Sequence, residues 1–158
     1  MNLTNIIILL LAFQVKHFVS DYPLQGKYML GKFKTGWDFM GPLTAHCIVH
    51  SFFTFFIAVA FNGDSMLALG LAAFDFAVHF IMDRIKAGPK YLGRFKAINE
   101  FEYKYYTEHT EKEYIDILKN RMKENRFFWW ALGIDQMVHH ITHYAIIYML
   151  LKWKRKRY

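Results

Sequence analysis

Pairs of histidine and aspartate residues recur in this 158-residue chain at one spacing, four residues apart. The pairs are His17/Asp21, His46/His50, His79/Asp83 and Asp135/His139. On an α-helix, residues i and i+4 lie on one face about one turn apart, so each pair presents two polar side chains in the same direction. Imidazole nitrogen and carboxylate oxygen are ligands that zinc, iron and manganese take in proteins. The spacing therefore predicts a metal site assembled from several helices.

The elements that must position these pairs are long apolar stretches. Four stretches, at about 3–20, 42–61, 65–84 and 127–153, are long enough to cross a hydrocarbon layer of about 30 Å as helices. Hydrophobic residues make up 54% of the chain and aromatic residues 19%, more apolar surface than a small soluble domain can cover. We predict an all-α integral membrane protein, a bundle of four transmembrane helices that forms a single membrane domain over residues 1–158.

The alternating direction of consecutive spans brings the pairs together. The C-terminal ends of the first and third spans and the N-terminal ends of the second and fourth share one membrane face, and all four pairs fall toward those ends. Asp75 and His143 extend two of the rows by one turn. Ionisable residues inside spans are costly and usually functional. We expect Gln14, Gln25 and Gln136 to orient the ligands by hydrogen bonds.

Two longer connections separate the spans. Residues 22–41 mix glycine, proline and aromatic residues, which predicts an interfacial or re-entrant segment lying on the bundle. In the charged loop 85–126, Thr110-Glu111-Lys112-Glu113 is a capping box, which predicts one amphipathic loop helix through about Glu124. Lys86 lies on the face of His79 just beyond the membrane edge, where it would contact an anionic group such as phosphate. Lys16 is expected to snorkel to the interface.

Composition and charge limit the partners. The single Cys47 excludes a disulfide framework and a thiolate metal cage. The net charge of +7 suits anionic headgroups of a lipid bilayer, and no nucleic-acid-binding motif accompanies it. Lys and Arg concentrate in the two longer connections, which favours a cytoplasmic side for the polar site and the charged loop, although the basic tail at 152–158 favours the opposite orientation. The sequence is also compatible with a homo-oligomer.

Several motifs resemble those of a known family. Residues 17–25 read H-x-x-x-D-x-x-L-Q, and later parts read His46-x-x-x-His50, His79-x-x-x-Asp83-x-x-Lys86 and Asp135-Gln136-x-x-His139. As an ordered set these resemble an uncharacterised family of small bacterial and phage integral membrane proteins, similar in pattern to membrane-bound metal-dependent hydrolases. The resemblance implies a location in the bacterial inner (cytoplasmic) membrane, a polar His/Asp site and hydrolysis.

Together these observations favour a membrane-embedded metal-dependent hydrolase that acts on a lipid-linked or phosphate-bearing substrate. Zinc is the expected metal, with iron or manganese as alternatives; one of Asp21 and Asp83 would be the general base, and Lys86 would contact the substrate anion. The candidate ligands are His17, Asp21, His46, His50, His79, Asp83, Asp135 and His139. Competing hypotheses are a structural polar network, a small proton or metal-ion transporter, a b-type haem protein, and a non-enzymatic accessory protein that a phage could encode and that would act on the host envelope through its charged loop.

Overall fold

Four long helices account for most of the described chain. A computed structural model describes residues 3–34, 36–87 and 126–157. Within them lie α1 (Leu3–Asp21), α2 (Met40–Asn62), α3 (Ser65–Ala87) and α4 (Arg126–Arg157), and a short 3₁₀ helix at Met29–Phe33 precedes α2. The prediction of an all-helical chain is confirmed for these residues, and α1, α2 and α3 are each long and apolar enough to cross a membrane.

The helix ends differ from the predicted spans mainly on α3 and α4. Helix α3 continues to Ala87 and α4 continues to Arg157, so Lys86 belongs to a helix and not to the loop. The capping box and the amphipathic loop helix predicted within residues 110–124 lie outside the described residues.

The turn between α2 and α3 has a clear local cause. Gly63 adopts φ 64°, a left-handed conformation that glycine takes without steric penalty, and its N–H donates to the Val59 carbonyl at 2.7 Å. Asp64 follows, and its Oδ1 accepts hydrogen bonds from the backbone N–H groups of Met66 and Leu67 at 3.1 and 3.0 Å. This caps α3 and turns the chain back beside α2.

The segment between α1 and α2 folds over one end of the bundle. Its 3₁₀ helix buries Gly31, Lys32 and Phe33. Gly31 packs closely on the first turn of α2, where an added Cβ would lie 2.7 Å from Pro42 Cγ, so only glycine fits without displacement. The segment predicted to lie on the bundle therefore reaches into it, and brings a lysine with it.

The two ends of the helix bundle have opposite interiors. At the end that holds the α2–α3 turn, which we call the apolar end, the core consists of Leu9, Phe13, Ala58, Ala68, Leu71, Ile146, Ile147 and Leu150. At the other end, the polar end, which lies under the 3₁₀ segment, the buried side chains are mainly His, Asp and Lys. Large apolar side chains such as Leu11, Phe52, Ile81 and Tyr148 face outward, as expected of a surface covered by lipid.

Candidate metal centre

All eight candidate ligands lie together at the polar end. His50 and His79 have ring centroids 4.0 Å apart, as do His79 and His139, while those of His46 and His50 are 4.7 Å apart. The rings thus form a continuous layer across α2, α3 and α4. Asp21 is half-buried and the other seven are buried, namely His17, His46, His50, His79, Asp83, Asp135 and His139.

Asp21, at the last turn of α1, lies close to histidines of two helices. Its Oδ1 lies 3.0 Å from His50 Nε2 and 3.5 Å from His46 Nε2, and its Oδ2 lies 3.1 Å from His17 Nε2. His17 Nε2 also lies 2.9 Å from Gln136 Oε1, so α4 helps to orient a ring carried by α1. One carboxylate with two imidazoles inside one small volume is a set of donors that zinc and ferrous iron accept.

Asp83 is the centre of a second group and is surrounded by cations and imidazoles. Its Oδ2 accepts from Lys32 Nζ at 2.9 Å and lies 3.1 Å from His46 Nε2. Its Oδ1 lies 3.5 Å from Lys86 Nζ and 3.6 Å from His139 Nε2. This carboxylate is 1% exposed. It is thus compensated by two ammonium groups on opposite sides.

Asp135, on α4, completes that group. Lys86 donates to its Oδ2 at 2.6 Å, and its Oδ1 lies 3.3 Å from His139 Nε2. Lys86, expected to project beyond the membrane edge, is instead drawn inward between Asp83 and Asp135. The two aspartates come from different helices, so the lysine joins α3 to α4 by hydrogen bonds assisted by charge.

A third group surrounds Asp75, one turn further into the bundle. Lys16 and Thr54 both donate to Asp75 Oδ2 at 2.7 Å. His79 Nδ1 lies 3.0 Å from the Asp75 carbonyl, and Lys16 Nζ lies 3.1 Å from His143 Nε2. The prediction that Lys16 snorkels to the interface is wrong: the residue is 3% exposed, because Asp75 offers a buried counter-charge next to it.

Buried ring nitrogens carry unused bonding capacity. Among the described residues, the buried nitrogens without a hydrogen-bond partner include Nδ1 of His17, His46, His50, His139 and His143, and Nε2 of His79. An unsatisfied buried polar atom costs about 1–3 kcal/mol. The backbone carbonyl that holds His79 Nδ1 leaves Nε2 as the available ligand atom, the usual way in which a protein fixes a ligating histidine.

Three groups of side chains bring ligand atoms within 4.8 Å of one another: His17/His79/His143, His17/Asp21/His50 and Asp83/Asp135/His139. The chemistry of their neighbours separates them. The all-histidine group lies against the Lys16 ammonium, which repels a cation, and the two-aspartate group already has its charge compensated by Lys32 and Lys86. Only in the Asp21 group does the carboxylate have no lysine partner among the described residues. The residues present there fit a divalent metal best.

A cavity opens beside the Asp21 group. It has a volume of about 140 Å³, and it is lined by Asp21, Tyr22, Gln25, Lys32, Phe33, Lys86, Leu132 and Gln136. A water needs about 10–15 Å³ on this measure, so several waters or one small polar group fit. The lining comes from α1, the 3₁₀ segment, α3 and α4, and it places two ammonium groups and a carboxylate around one space.

Lys32 is a member of the buried cluster that the sequence did not predict. It was counted among the positive charges of a connection, yet its side chain is buried against Asp83 and donates to Gln25 Oε1 at 3.1 Å. Nothing in its immediate sequence signals this. Gln136 bonds the candidate ligand His17, as expected. Gln25 instead bonds Lys32, and Gln14 bonds His140 at 3.2 Å, and neither of these partners is a candidate ligand.

The fold and the buried site thus define an all-helical protein whose long apolar helices enclose a His/Asp/Lys cluster at one end. The chain belongs to the family described as "protein of unknown function (DUF3307)", whose match covers residues 6–157. This family is uncharacterised, in agreement with the resemblance seen in the sequence. No curated protein and no solved structure matches the chain.

Proposed function

We propose that this protein is a membrane-embedded metal-dependent hydrolase that acts on a lipid-linked or phosphate-bearing substrate. The observation that carries the proposal is the place of Asp21, which belongs to a two-histidine, one-carboxylate group and also lines a cavity with two lysines. In this proposal the metal ligand Asp21 and two lysines that bind an anion line the same cavity. In this proposal α4 is the fourth span, and the polar end faces the cytoplasmic side of a bacterial inner membrane.

His17, Asp21 and His50 would hold the metal, with zinc as the expected ion and iron or manganese as alternatives. A bound divalent ion lowers the pKa of a water ligand toward 7 and polarises a phosphoryl or carbonyl oxygen. His17 Nε2 and His50 Nε2 face the Asp21 carboxylate at 3.1 and 3.0 Å, so metal binding would replace the protons between them and would weaken at low pH.

The protein's own groups supply the rest of the chemistry. Asp21 is the carboxylate that lines the cavity, so its oxygen that does not bind the metal would take the proton that water loses as it attacks the substrate ester. The bond to the leaving alcohol would break, and the alcohol would receive that proton. Asp83, named with Asp21 as a candidate base, is enclosed by Lys32, Lys86 and two histidines. In the proposal it orients the lysines, and Lys86 faces the substrate anion.

The transporter alternative requires a polar path through the bundle. The buried apolar-end cluster fills that path: Leu9, Phe13, Leu71 and Leu150 are each 4% exposed or less. A site whose cavity lies at the polar end suits an enzyme at the interface better than a conduit.

Metal content tests the proposal directly. The protein, purified in detergent and reloaded with zinc, should hold near-stoichiometric metal by mass spectrometry, and His50→Ala should lose it. His140→Ala is the matched control, because it removes an imidazole on α4 that belongs to none of the three groups. Failure to retain zinc, iron or manganese after reconstitution would contradict the proposal, as would equal loss in both variants.

The accessory-protein alternative makes the opposite prediction in cells. If the charged loop were the working part, removal of residues 100–124 would abolish function while His50→Ala would leave it intact. The hydrolase proposal expects His50→Ala to abolish function.

A further inference from the structure

Two lysines that face one cavity retain donors that no described residue uses. An ammonium group has three N–H donors. Lys32 uses two of them, on Gln25 Oε1 and Asp83 Oδ2, and Lys86 uses one on Asp135 Oδ2 and lies 3.5 Å from Asp83 Oδ1. Each lysine therefore keeps at least one N–H, and both side chains line the same 140 Å³ space.

The size of the cavity limits what enters it. Pockets for drug-sized ligands measure about 300–1,000 Å³. At about 140 Å³ this cavity takes one compact polar group, while the remainder of a larger molecule stays outside. Its other walls are Gln25 and Gln136, which are polar, and Tyr22, Phe33 and Leu132, which are aromatic or apolar. An acyl or isoprenoid chain attached to the polar group would pack on Tyr22, Phe33 and Leu132.

The charge of the polar end decides when an anion binds. Three carboxylates, Asp21, Asp83 and Asp135, face two ammonium groups, Lys32 and Lys86, which leaves one negative charge when the histidines are neutral. That balance opposes an anion. A divalent ion at the Asp21 group reverses the sign to one positive charge, and a bound cation is usually the largest local charge of a site.

We propose that the cavity is a phosphate subsite, formed by Lys32 and Lys86 beside Asp21, that binds the phosphate group of a lipid phosphate only when a divalent metal occupies the Asp21 group. The inference rests on the proposed function and adds the substrate class and the metal dependence. Lys32 becomes a substrate-binding residue, and Asp83 acts through it by fixing its ammonium group. Asp21, which would hold the metal, and the two lysines line the same cavity, so all three would act on one phosphate group.

The test is a calorimetric titration of the purified protein in uncharged detergent. The probes are inorganic phosphate and a short-chain phosphatidic acid, each added to zinc-loaded and chelator-stripped protein. We expect zinc loading to tighten binding of the lipid probe by about tenfold or more, equivalent to about 1.4 kcal/mol. We expect the lipid probe to bind more tightly than inorganic phosphate, because the apolar walls contact its chain; equal binding of the two would overturn the assignment to a lipid.

Lysine variants distinguish binding of phosphate at the subsite from nonspecific attraction by positive charge. Lys32→Gln and Lys86→Gln should each weaken the Kd of the zinc-loaded protein by about tenfold, the loss expected for one charge-assisted hydrogen bond. Lys34→Gln is the control, since it makes the same change on an exposed side chain two residues from Lys32. Equal weakening by Lys34→Gln would overturn the subsite.

A variant that changes only the size of the cavity gives a second test in case the lysine variants misfold. Leu132→Trp narrows the cavity and leaves every charged group in place, so it should retain zinc and lose the phosphate probe. Zinc-loaded wild-type protein that binds neither probe would overturn this inference and leave the metal site standing. Protein that holds no metal would overturn both, and phosphate binding that ignores zinc would overturn the metal dependence.

Discussion

The apolar end of the bundle is filled by Leu9, Phe13, Ile146 and Leu150, whereas the polar end fills a similar interior with four aspartates, three lysines and six histidines. Both interiors are buried, but their energetic reasons differ. Well-packed apolar side chains stabilise helix association with no polar group left to satisfy. Buried ion pairs have a large desolvation cost, and replacing them by apolar residues is often neutral or stabilising. The polar end is therefore poorly explained by stability, which points to function.

The largest expected effect lies at the centre of the polar end. Asp83→Ala leaves the Lys32 ammonium buried without its carboxylate and removes a partner of Lys86, which should lower the free energy of unfolding by about 3–5 kcal/mol. Thermal unfolding in detergent, followed by circular dichroism, measures the change. Asp38→Ala, at an exposed aspartate, should leave the transition within about 0.5 kcal/mol of wild type. Similar transitions for the two variants would show that the polar end is not a coupled network.

A smaller effect is expected from the apolar end. Leu150→Ala empties a fully buried position and should lower the free energy of unfolding by about 2–4 kcal/mol. Metal content should stay at the wild-type level, since Leu150 belongs to the apolar cluster and to none of the three ligand groups. Leu11→Ala, at a side chain that is 61% exposed, is the control and should be nearly silent. Loss of metal in Leu150→Ala would mean that the two ends are not independent.

The smallest effect is expected for the loss of one hydrogen bond, which lies where the apolar end meets the polar end. Thr54→Val removes the donor that meets Asp75 Oδ2 at 2.7 Å, and should reduce the free energy of unfolding by about 1 kcal/mol. Thr142→Val makes the same change where the hydroxyl bonds only the Val138 carbonyl of its own helix, so its effect should be smaller. The same unfolding assay compares them. If Thr142→Val is the more damaging, the Asp75 group does not hold α2 and α3 together.

Helical spacing and the alternation of helix direction predicted the convergence of the pairs at one end. His17 on α1 and His50 on α2 lie near the same carboxylate, as the two rules together require. The helices themselves were predicted from the lengths of the four apolar stretches. These features are local or depend only on the order of helices, so the sequence contains them.

The two lysine assignments failed because burial of a charge depends on a partner distant in sequence. Lys16 pairs with Asp75, 59 residues away, and Lys32 pairs with Asp83, 51 residues away. A signal for Lys16 did exist: Leu9, Phe13, Lys16 and Ser20 recur at three- and four-residue intervals and are all buried on one face of α1. For Lys32 no comparable periodicity is available, because it lies in a short 3₁₀ turn whose position depends on the fit of Gly31 against Pro42.

The hydrogen bond between His17 and Gln136 joins residues 119 positions apart, from the first described helix to the last. At a synthesis rate of about 5–20 residues per second, roughly 6–24 s pass between the emergence of these two partners from the ribosome. During that interval α1, with Lys16, His17 and Asp21, has none of its partners on α4. Lys16 and Asp21 can already meet Asp75 on α3 and His50 on α2, whereas the His17–Gln136 bond must wait for α4. Completion of the His17 environment is therefore a late event in the biogenesis of this protein.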